Sequence, residues 1–348
     1  MIHTSAAERN RGPVAVTGAT GHVGNVLVRQ LVRRGVAVRA VVPPGEDLEP
    51  LKGVAVELER ADVRDRPALD RAFRGCRQVY HLAGIVTISG GQRRLLRGVN
   101  VLGTRNVVCA ALDEGVGRLV YVSSVHALSE PPAGLPFCAD TVFEPDRLLG
   151  DYAWSKALAS KEVLAAVDRG LDAVLVFPSG IVGPYDFRLS ELGTLFLSYA
   201  RGRLRAFVDG AYDFVDVRDV VTGMIAAMEH GRRGEGYLLT GCRVTIRQML
   251  EVLEQVTGMR SRARRLPMWL ARGAAVLTPA WYRLRRRRPV FTSYSLKVLR
   301  SNCLMDVSKS VRELGYRVRP FRETVAATID WFQASGRLGP AADRRACG

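Results

Sequence analysis

Residues 17–24 read TGATGHVG and join a β-rich run, PVAVTG (13–18), to a helical run, GNVLVRQLVRRG (24–35). The three glycines of this G-x-x-G-x-x-G pattern allow a tight turn and let a phosphate group approach the backbone. The helix that follows offers free N–H groups and the positive end of its dipole. Because the motif stands at the first strand-to-helix junction, it predicts a dinucleotide-binding βα unit.

Short β-rich runs alternate with helical runs through the first 180 residues, which is typical of a parallel sheet covered by helices on both faces. The sequence predicts further strands at 36–42, 54–63, 78–84, 118–124 and 173–180, helices at 100–115 and 154–170, a strand and helix at 213–231, a strand at 237–241, and later helices from Thr245, from 308 and from 323. We therefore predict an α/β protein, a Rossmann-type doubly wound parallel sheet with a smaller C-terminal substrate-binding portion.

The predicted domain organisation follows from where this alternation stops. The alternation covers 13–180, the nucleotide-binding domain, and the strands and helix within 209–241 are expected to return to its sheet. Residues 181–208 and 242–338 form the substrate-binding portion. The two ends, 1–12 and 339–348, are expected to be disordered.

Composition narrows the class of protein. The chain has 348 residues, 47% of them hydrophobic and 24% charged, which is typical of a globular protein. No uninterrupted apolar stretch of about 18 residues is present, and the N-terminus has no apolar run after its charges, so neither a membrane span nor a signal peptide is predicted. The six cysteines are scattered, which favours a cytoplasmic protein without a disulfide framework or bound metal.

The stretch DYAWSK (151–156) places Tyr152 and Lys156 four residues apart, on one face of a helix. Alone, this spacing is weak support for a catalytic pair, since a solvated Lys beside a half-buried Tyr is common. Its surroundings decide the matter, because several other motifs accompany it in a fixed order. They are TGATGHVG (17–24), ADVRD (61–65), YHLAG (80–84), NVLGTRNV (100–107), YVSSV (121–125), YAWSK (152–156), PSGIVGP (178–184) and FVDVRDV (214–220).

In this order the motifs resemble the extended short-chain dehydrogenases/reductases, and most closely their dihydroflavonol-reductase and 3β-hydroxysteroid-dehydrogenase branch. The resemblance implies that Tyr152 is the general acid/base, that Lys156 holds the nicotinamide ribose, and that Ser124 polarises the substrate carbonyl. A free tyrosine has a pKa near 10, and a neighbouring ammonium favours its phenolate, so we expect the pKa of Tyr152 to be lowered. His126 is expected to be incidental more often than a substrate contact.

The same resemblance implies a set of cofactor-binding residues that follow the strands and the glycine loop. They are Gly18, Thr20, Gly21, His22, Val23, Gly24, Arg39, Asp62, Val63, Leu82, Ala83, Gly84, Ser123, Tyr152, Lys156, Pro178 and Ser179. Asn100 begins the helix NVLGTRNV and is expected to order the sheet around the site. The family usually has Arg before the Pro of PSGIVGP, and Phe177 there weakens any interpretation that requires a sugar diphosphate.

The sequence leaves the cofactor open between NAD(H) and NADP(H). NAD-binding proteins carry an acid at the end of the second strand, whereas an Arg accommodates the NADP phosphate. Here that position holds Pro43, with Arg39 before it and Glu46 and Asp47 just beyond. The missing arginine favours NAD slightly.

Two reaction classes use the Ser, Tyr and Lys of this family. The forms PSGIVGP and DFVDVRDV, and the absence of Gly after Tyr152, favour reversible hydride transfer between NAD(P)H and a carbonyl over sugar-nucleotide epimerisation or dehydration. A cofactor-sensing regulator of this fold typically lacks the Tyr/Lys pair. We therefore predict an oxidoreductase acting on a small, apolar carbonyl or alcohol, with an NDP-sugar epimerase or dehydratase as the alternative and a homodimer as the expected assembly.

The net charge of +17 has a local origin, because ten arginines and no acid lie between 260 and 288. No nucleic-acid-reading module accompanies them, so a nucleic-acid partner is not predicted. Trp and Tyr alternate with these arginines over 260–289, which suits an anionic membrane surface. The simpler interpretation is a helix of the substrate-binding portion whose arginines face solvent. The more specific hypothesis is peripheral membrane contact through 260–289.

Overall fold

The computed structural model describes residues 12–87, 91–132, 134–139, 142–261, 263–270 and 303–339. The predictions for the N-terminus up to residue 11, for the tail from residue 340, and for residues 271–289 of the basic segment fall outside these residues. The predicted division into domains and the predicted homodimer stay predictions.

Seven parallel strands form the main sheet, in the order β10-β6-β5-β4-β1-β2-β3. Their bounds are β1 Val14–Thr17, β2 Val38–Val42, β3 Glu57–Arg60, β4 Gln78–His81, β5 Arg118–Val122, β6 Ala173–Pro178 and β10 Gly236–Leu239. Because the chain runs from β1 outward to β3 and then returns to β4 beside β1, the strand order reverses between β1 and β4. Open α/β sheets bind ligands at such a switch point, outside the carboxyl ends of the strands. The predicted Rossmann-type doubly wound sheet is confirmed.

Helices cover both faces of this sheet. In chain order the helices of the described residues are α1 His22–Arg33, α2 Arg66–Phe73, α3 Arg93–Leu96, α4 Gly103–Asp113, α5 Asp151–Asp168, α6 Glu191–Ala200, α7 Val217–His230, α8 Ile246–Thr257, α9 Ser308–Leu314 and α10 Phe321–Ala334, and a π-helical turn, Arg97–Leu102, joins α3 to α4. Side chains alternate along β5: Val120 packs into the core on the α1 and α7 face, and Leu119 and Tyr121 into the core beneath α2, α4 and α5.

A smaller portion is built from the segments after β6. Its sheet has the order β11-β9-β7, formed by Cys242–Thr245, Ala211–Asp216 and Gly180–Val182, and a second pair joins β12 (Arg264–Leu266) to β8 (Ala206–Val208). A third core, which includes Phe196, Leu253 and Phe332, fills this portion. None of the described helices is long and apolar enough to cross a membrane.

One predicted strand lies elsewhere than expected. Of the stretch expected to return to the main sheet, β10 joins β6 there, whereas β9 pairs with β7 in the smaller sheet. The cause is local, because the chain leaves the main sheet after Pro178 and β7 offers a new edge at once. Gly180 permits this pairing, since a Cβ on it would lie 2.8 Å from the ring of Tyr212 in β9.

Candidate active site

The glycine loop joins β1 to α1 at the switch point of the main sheet. Gly18 has φ +69°, and a Cβ there would lie 2.7 Å from the backbone nitrogen of Ala83, at the end of β4. A Cβ on Gly24 would lie 2.1 Å from the carbonyl oxygen of Gly18. The N–H of Gly21 donates to that same oxygen over 3.0 Å and closes the turn. Only glycine fits at positions 18 and 24, because the backbone packs so closely there, and the tight turn forms a cradle of backbone N–H groups at the N-terminus of α1.

A buried histidine ties this loop to β4. Thr104 donates its hydroxyl hydrogen to the carbonyl of Asn100 (2.6 Å), so Nε2 of His81 must donate to Thr104 (2.9 Å). Nδ1 of His81 then accepts from the hydroxyl of Thr17 (2.7 Å), whose oxygen accepts from the N–H of Ala83 (3.2 Å). Burial lowers the pKa of His81 to about 3, which keeps the ring neutral. The residues of this network lie in three of the quoted motifs, but the motifs did not indicate the hydrogen bonds between them, which fix the strand ends around the cradle.

The three predicted catalytic residues lie at the carboxyl end of β5 and on the first turns of α5. Ser124 lies two residues after the end of β5, and its hydroxyl caps the turn that follows. Tyr152 and Lys156 are both buried on the face of α5 that meets the sheet. The ammonium of Lys156 donates to the carbonyl of Val122 (2.7 Å) and to the hydroxyl of Tyr121 (3.3 Å). The structure thus brings all three residues together.

The pKa of Tyr152 moves in the direction opposite to the expected one. Burial raises it to about 12, and a hydrogen bond with Ser124 opposes that rise. Burial also lowers the pKa of Lys156 to about 7, so at neutral pH this lysine carries only part of a charge. Desolvation is the largest cause of both pKa shifts, and the helical spacing alone could not predict it because burial depends on the packed structure.

Asn100 holds the helix pair beside this site, but not from the start of a helix as predicted. The helix begins at Arg93, and Asn100 lies in the π-helical turn, where the widened backbone turns its side chain toward Ile85. Its Oδ1 accepts from the N–H of Ile85 (2.8 Å), and its Nδ2 donates to Ser155 (3.0 Å). Ser155 in turn donates to the carbonyl of Tyr152 (2.8 Å), so Asn100 supports the backbone of α5 at the tyrosine.

His126 lies closer to the tyrosine than the sequence led us to expect. Its ring stands edge-on to that of Tyr152, with centroids 6.3 Å apart, and its Nε2 lies 2.9 Å from the hydroxyl of Tyr212 in β9. Burial lowers the pKa of His126 to about 4, so the ring is neutral at pH 7. Tyr212 was missed in the sequence because it is contributed by a strand of the smaller sheet.

Pro178, the last residue of β6, and Ser179, which follows it, were predicted to border the nicotinamide and lie next to another missed residue. The hydroxyl of Ser179 donates to Oδ1 of Asp213 (2.5 Å), which also accepts from the N–H of Gly241 (2.8 Å). Burial raises the pKa of Asp213. Phe177, which stands where the family usually has Arg, is a fully buried core residue, because side chains alternate along β6 and its ring points away from the cleft into the α/β core.

Two of the predicted cofactor-binding side chains are committed elsewhere. Arg39 lies on the sheet face covered by α2, where its guanidinium donates to the carbonyls of Ala72 and Arg74 (2.9 Å each). This geometry corrects the predicted cofactor role of Arg39, whose direction along β2 the sequence had left open. Ser123 faces α5, with its hydroxyl 2.8 Å from that of Ser160, and fastens the helix to the strand.

The adenosine side of the predicted site lies along β2 and β3. Asp62 follows β3 and binds the guanidinium of Arg64 (2.6 Å), while the carbonyl of Val63 accepts from Asn106 (3.0 Å). Beyond β2, the carboxylate of Glu46 accepts a hydrogen bond from the hydroxyl of Thr20 in the glycine loop (2.8 Å). Glu46, past the two prolines that follow β2, thus brings an acidic side chain to the glycine loop.

Comparison with known proteins assigns the family. The model of the NAD-dependent epimerase/dehydratase family matches residues 14–239, from β1 to β10. The chain belongs to this family. It is therefore an NAD-dependent enzyme of the extended short-chain dehydrogenases/reductases, and the resemblance stated from its motifs is confirmed.

Individual relatives of the family cover nearly the whole chain. Sterol demethylase protein B of Methylococcus capsulatus is 42% identical over 93% of this chain and 99% of its own. The 4-hydroxy-2-methyl-3-oxo-4-farnesyl-3,4-dihydroquinoline-1-oxide ketoreductase of Stigmatella aurantiaca is 30% identical over 94% and 97%. Among solved structures, that of gox2253 superimposes with a TM-score of 0.82 at 32% identity and covers 94% of this chain and all of its own.

The glycine-loop cradle fits the cofactor that the family uses. A Cβ on Gly18 or Gly24 would collide with the backbone of Ala83 or of Gly18, so glycine at both positions is what lets the turn close and bring the free N–H groups of the α1 N-terminus to this edge of the sheet, where a pyrophosphate can be bound. The first turn of α1 carries no acidic side chain that would repel the phosphates. The architecture, the cradle and the family membership agree on a nicotinamide dinucleotide at this edge of the sheet.

Proposed function

We propose that the protein transfers a hydride between NAD(H) and a carbonyl or secondary-alcohol carbon of a lipophilic small molecule. The observation that carries this proposal is the cluster of Ser124, Tyr152 and Lys156, which the fold buries together at the carboxyl end of β5, beside the glycine loop. The site therefore joins a dinucleotide cradle to a proton-exchanging tyrosine.

The cofactor is held by two features of this chain. The glycine loop receives the pyrophosphate through backbone N–H groups, and Glu46 accepts hydrogen bonds from the hydroxyls of the adenosine ribose. The carboxylate of Glu46 disfavours the 2′-phosphate of NADP by charge repulsion, so NAD is preferred. When bound, NAD accepts the hydride in oxidation and NADH donates it in reduction.

The residues of the chain handle the oxygen and the proton. Ser124 donates a hydrogen bond to the substrate oxygen and stabilises its negative charge as it develops. Tyr152 delivers the proton in reduction and removes it in oxidation. Lys156 adds positive charge near the phenol. Because its pKa is about 7, small changes around the ammonium alter how much of that charge it carries at neutral pH. Asn100 positions Tyr152 through Ser155.

The substrate class is proposed from the relatives together with the fold. The names of two relatives refer to a sterol and to a farnesylated quinoline ketone, both lipophilic ring compounds. The family as a whole also includes sugar-nucleotide epimerases and dehydratases, which retain their cofactor through each turnover. We place this chain with the relatives named for lipophilic ring compounds and propose a lipophilic ring alcohol or ketone as its substrate.

The cofactor content and turnover of the purified protein test this proposal. We expect little retained nicotinamide after purification, and NADH-linked turnover of polycyclic alcohols or ketones whose kcat falls at least about 100-fold in the Tyr152→Phe variant. Lys161→Met, on the exposed face of the same helix, serves as the control and should keep full activity. Near-complete retention of NAD, with turnover of sugar nucleotides alone, would establish the alternative instead.

We further propose peripheral contact with an anionic membrane. At the start of the basic segment, Arg264 and Arg265 are exposed in β12, and just after them Trp269 is 71% exposed and Leu270 44%. An apolar pair beside arginines suits a lipid–water interface, where each basic residue contributes about 1 kcal/mol. Co-sedimentation with phosphatidylserine vesicles at low salt, set against phosphatidylcholine vesicles, tests this contact. A variant with Trp269→Ser and Leu270→Ser should lose binding, and equal binding to both vesicle types would contradict the proposal.

A further inference from the structure

The loop of residues 183–190, which follows β7, is fastened to the helix that begins at the glycine loop. Nε2 of His22 lies 3.0 Å from the carbonyl oxygen of Pro184, and Nδ2 of Asn25 donates to the carbonyl of Tyr185 over 3.1 Å. Both side chains belong to the first turns of α1. Tyr185 and Leu189 have positive φ values of 67° and 51°, which non-glycine residues adopt only when their surroundings impose them. The smaller portion of the molecule therefore reaches across the switch point to the cofactor cradle.

From this loop Arg188 extends to the cradle itself. Its Nη2 donates to the hydroxyl of Thr20 over 3.0 Å, and its guanidinium forms an ion pair with Glu46. Thr20 in turn donates to Oε1 of Glu46. Three side chains, from the glycine loop, from the turn after β2 and from the smaller portion, thus form one closed cluster beside the cradle.

This cluster lies between the two parts of the dinucleotide that the chain must bind. The pyrophosphate is received at the N-terminus of α1, and the adenosine ribose at Glu46. Thr20 and Arg188 both engage Oε1 of Glu46, so they compete with the ribose hydroxyls for this oxygen. A guanidinium binds phosphate oxygens through two parallel N–H groups, at least as well as it binds a carboxylate.

We propose that Arg188 is a pyrophosphate-binding residue that exchanges partners when the dinucleotide binds. Without NAD it pairs with Glu46, and with NAD it pairs with the pyrophosphate and leaves Glu46 free for the ribose. This proposal rests on the proposed function and extends its cofactor site by a residue of the smaller portion. The 183–190 loop then joins the two portions of the molecule in a cofactor-dependent manner.

The partner exchange gives opposite effects for two probes, inorganic pyrophosphate and NAD. Arg188→Gln removes the phosphate partner, so it should weaken both NAD and inorganic pyrophosphate by about 10- to 100-fold, the range for a charge-assisted hydrogen bond. Glu46→Gln removes the competitor for Arg188 but also the ribose acceptor. It should therefore tighten inorganic pyrophosphate and weaken NAD. Titration calorimetry on the purified full chain gives both affinities without any assay of turnover.

Two controls keep the result interpretable. Arg337 donates to the carbonyl of Phe187 in the same loop (2.7 Å), so Arg337→Gln disturbs the loop without touching the cradle and should leave both affinities within about twofold. Arg188→Lys retains the positive charge but lacks the two parallel N–H donors of the guanidinium, so it should recover part of the affinity for NAD and for pyrophosphate. Thermal unfolding of each variant confirms that it is folded.

The outcome separates this proposal from the proposed function. If NAD and pyrophosphate bind Arg188→Gln as they bind the unaltered protein, the partner exchange is wrong while hydride transfer stands. The partner exchange is equally wrong if Glu46→Gln weakens pyrophosphate as much as it weakens NAD. A failure of the unaltered protein to bind NAD at all would instead overturn the cofactor site itself.

Discussion

Lys156 illustrates how far a single residue can be understood from sequence. Its spacing from Tyr152 and the accompanying motifs identified the pair, and the structure brings both side chains to one buried site. The motifs did not predict the surroundings of the Lys156 ammonium, because the two oxygens that accept its hydrogen bonds belong to β5 and not to α5. Hence the direction of the pKa shifts followed only from the packed structure.

The buried lysine makes stability depend on pH. The pKa of Lys156 is about 7 in the folded protein and about 10.4 in an unfolded chain, so between these values the unfolded state binds more protons and stability rises with pH. Lys156→Met removes this dependence. From pH 7 to pH 9 we expect the unfolding free energy of the unaltered protein to rise by about 2 kcal/mol relative to that of Lys156→Met. Urea denaturation of the cofactor-free protein measures it.

Lys161→Met is the matched control for this prediction, because Lys161 is exposed on the same helix. Its effect on the unfolding free energy should be the same at both pH values. An equal effect of Lys156→Met at pH 7 and pH 9 would mean that the lysine keeps an ordinary pKa in the folded protein.

Among the elements, α8 begins where the sequence predicted it. Thr245 was expected to open it, and the structure shows a reciprocal capping box: the hydroxyl of Thr245 accepts from the N–H of Gln248 (3.1 Å), whose side chain accepts from the N–H of Thr245 (2.9 Å). Cap signals are local, so they can be recognised without tertiary contacts. The start of α3 and the place of β9 depended on a π-helical turn and on a partner strand far along the chain.

The cap of α8 has a measurable weight. Thr245→Ala removes the oxygen that satisfies a free N–H group, and should lower the unfolding free energy by about 1 kcal/mol. Thr245→Gly should cost only a few tenths of a kcal/mol. Arg247→Ala, at an exposed position of the first turn, is the control and should change little. Chemical denaturation compares the three, and equal losses for Thr245→Ala and Arg247→Ala would contradict the capping role.

At the scale of the whole molecule, the alternation of strands and helices predicted the main sheet, because the residues of each βα unit are close together in sequence. The smaller portion was predicted only in outline. Its sheet combines β7, β9 and β11, and its third core draws on Phe196, Leu253 and Phe332, which no local pattern connects. For the same reason Tyr212 and Asp213 were absent from the predicted site.

The two portions are joined by an ion-pair cluster between the C-terminal segment and α7. The guanidinium of Arg319 donates to Oδ1 of the buried Asp219 (2.7 Å) and lies 3.9 Å from Asp216, while the backbone N–H of Arg319 donates to Oδ2 of Asp219 (2.9 Å). Arg319→Met leaves these carboxylates short of a partner, and should lower the unfolding free energy by about 2 to 3 kcal/mol. The exposed pair of Arg34 with Glu229, also on α7, is the control, since Arg34→Met should cost less than about 1 kcal/mol.

Urea unfolding at neutral pH gives both values. Equal losses for Arg319→Met and Arg34→Met would show that the contact between the C-terminal segment and α7 behaves as an ordinary surface pair.

The strand order of the main sheet also bears on how the chain is made. β6 is buried along its whole length, and its outer neighbour, β10, comes only after the strands of the smaller sheet β7 and β9. A nascent chain released from the ribosome at any point before β10 therefore presents a bare apolar strand edge, which invites pairing with another chain. The opposite edge strand, β3, has the sequence ELER, and its charged side chains disfavour pairing with another chain. Premature termination between β6 and β10 is thus expected to yield aggregates, and chaperone demand during translation should fall once residue 239 has emerged.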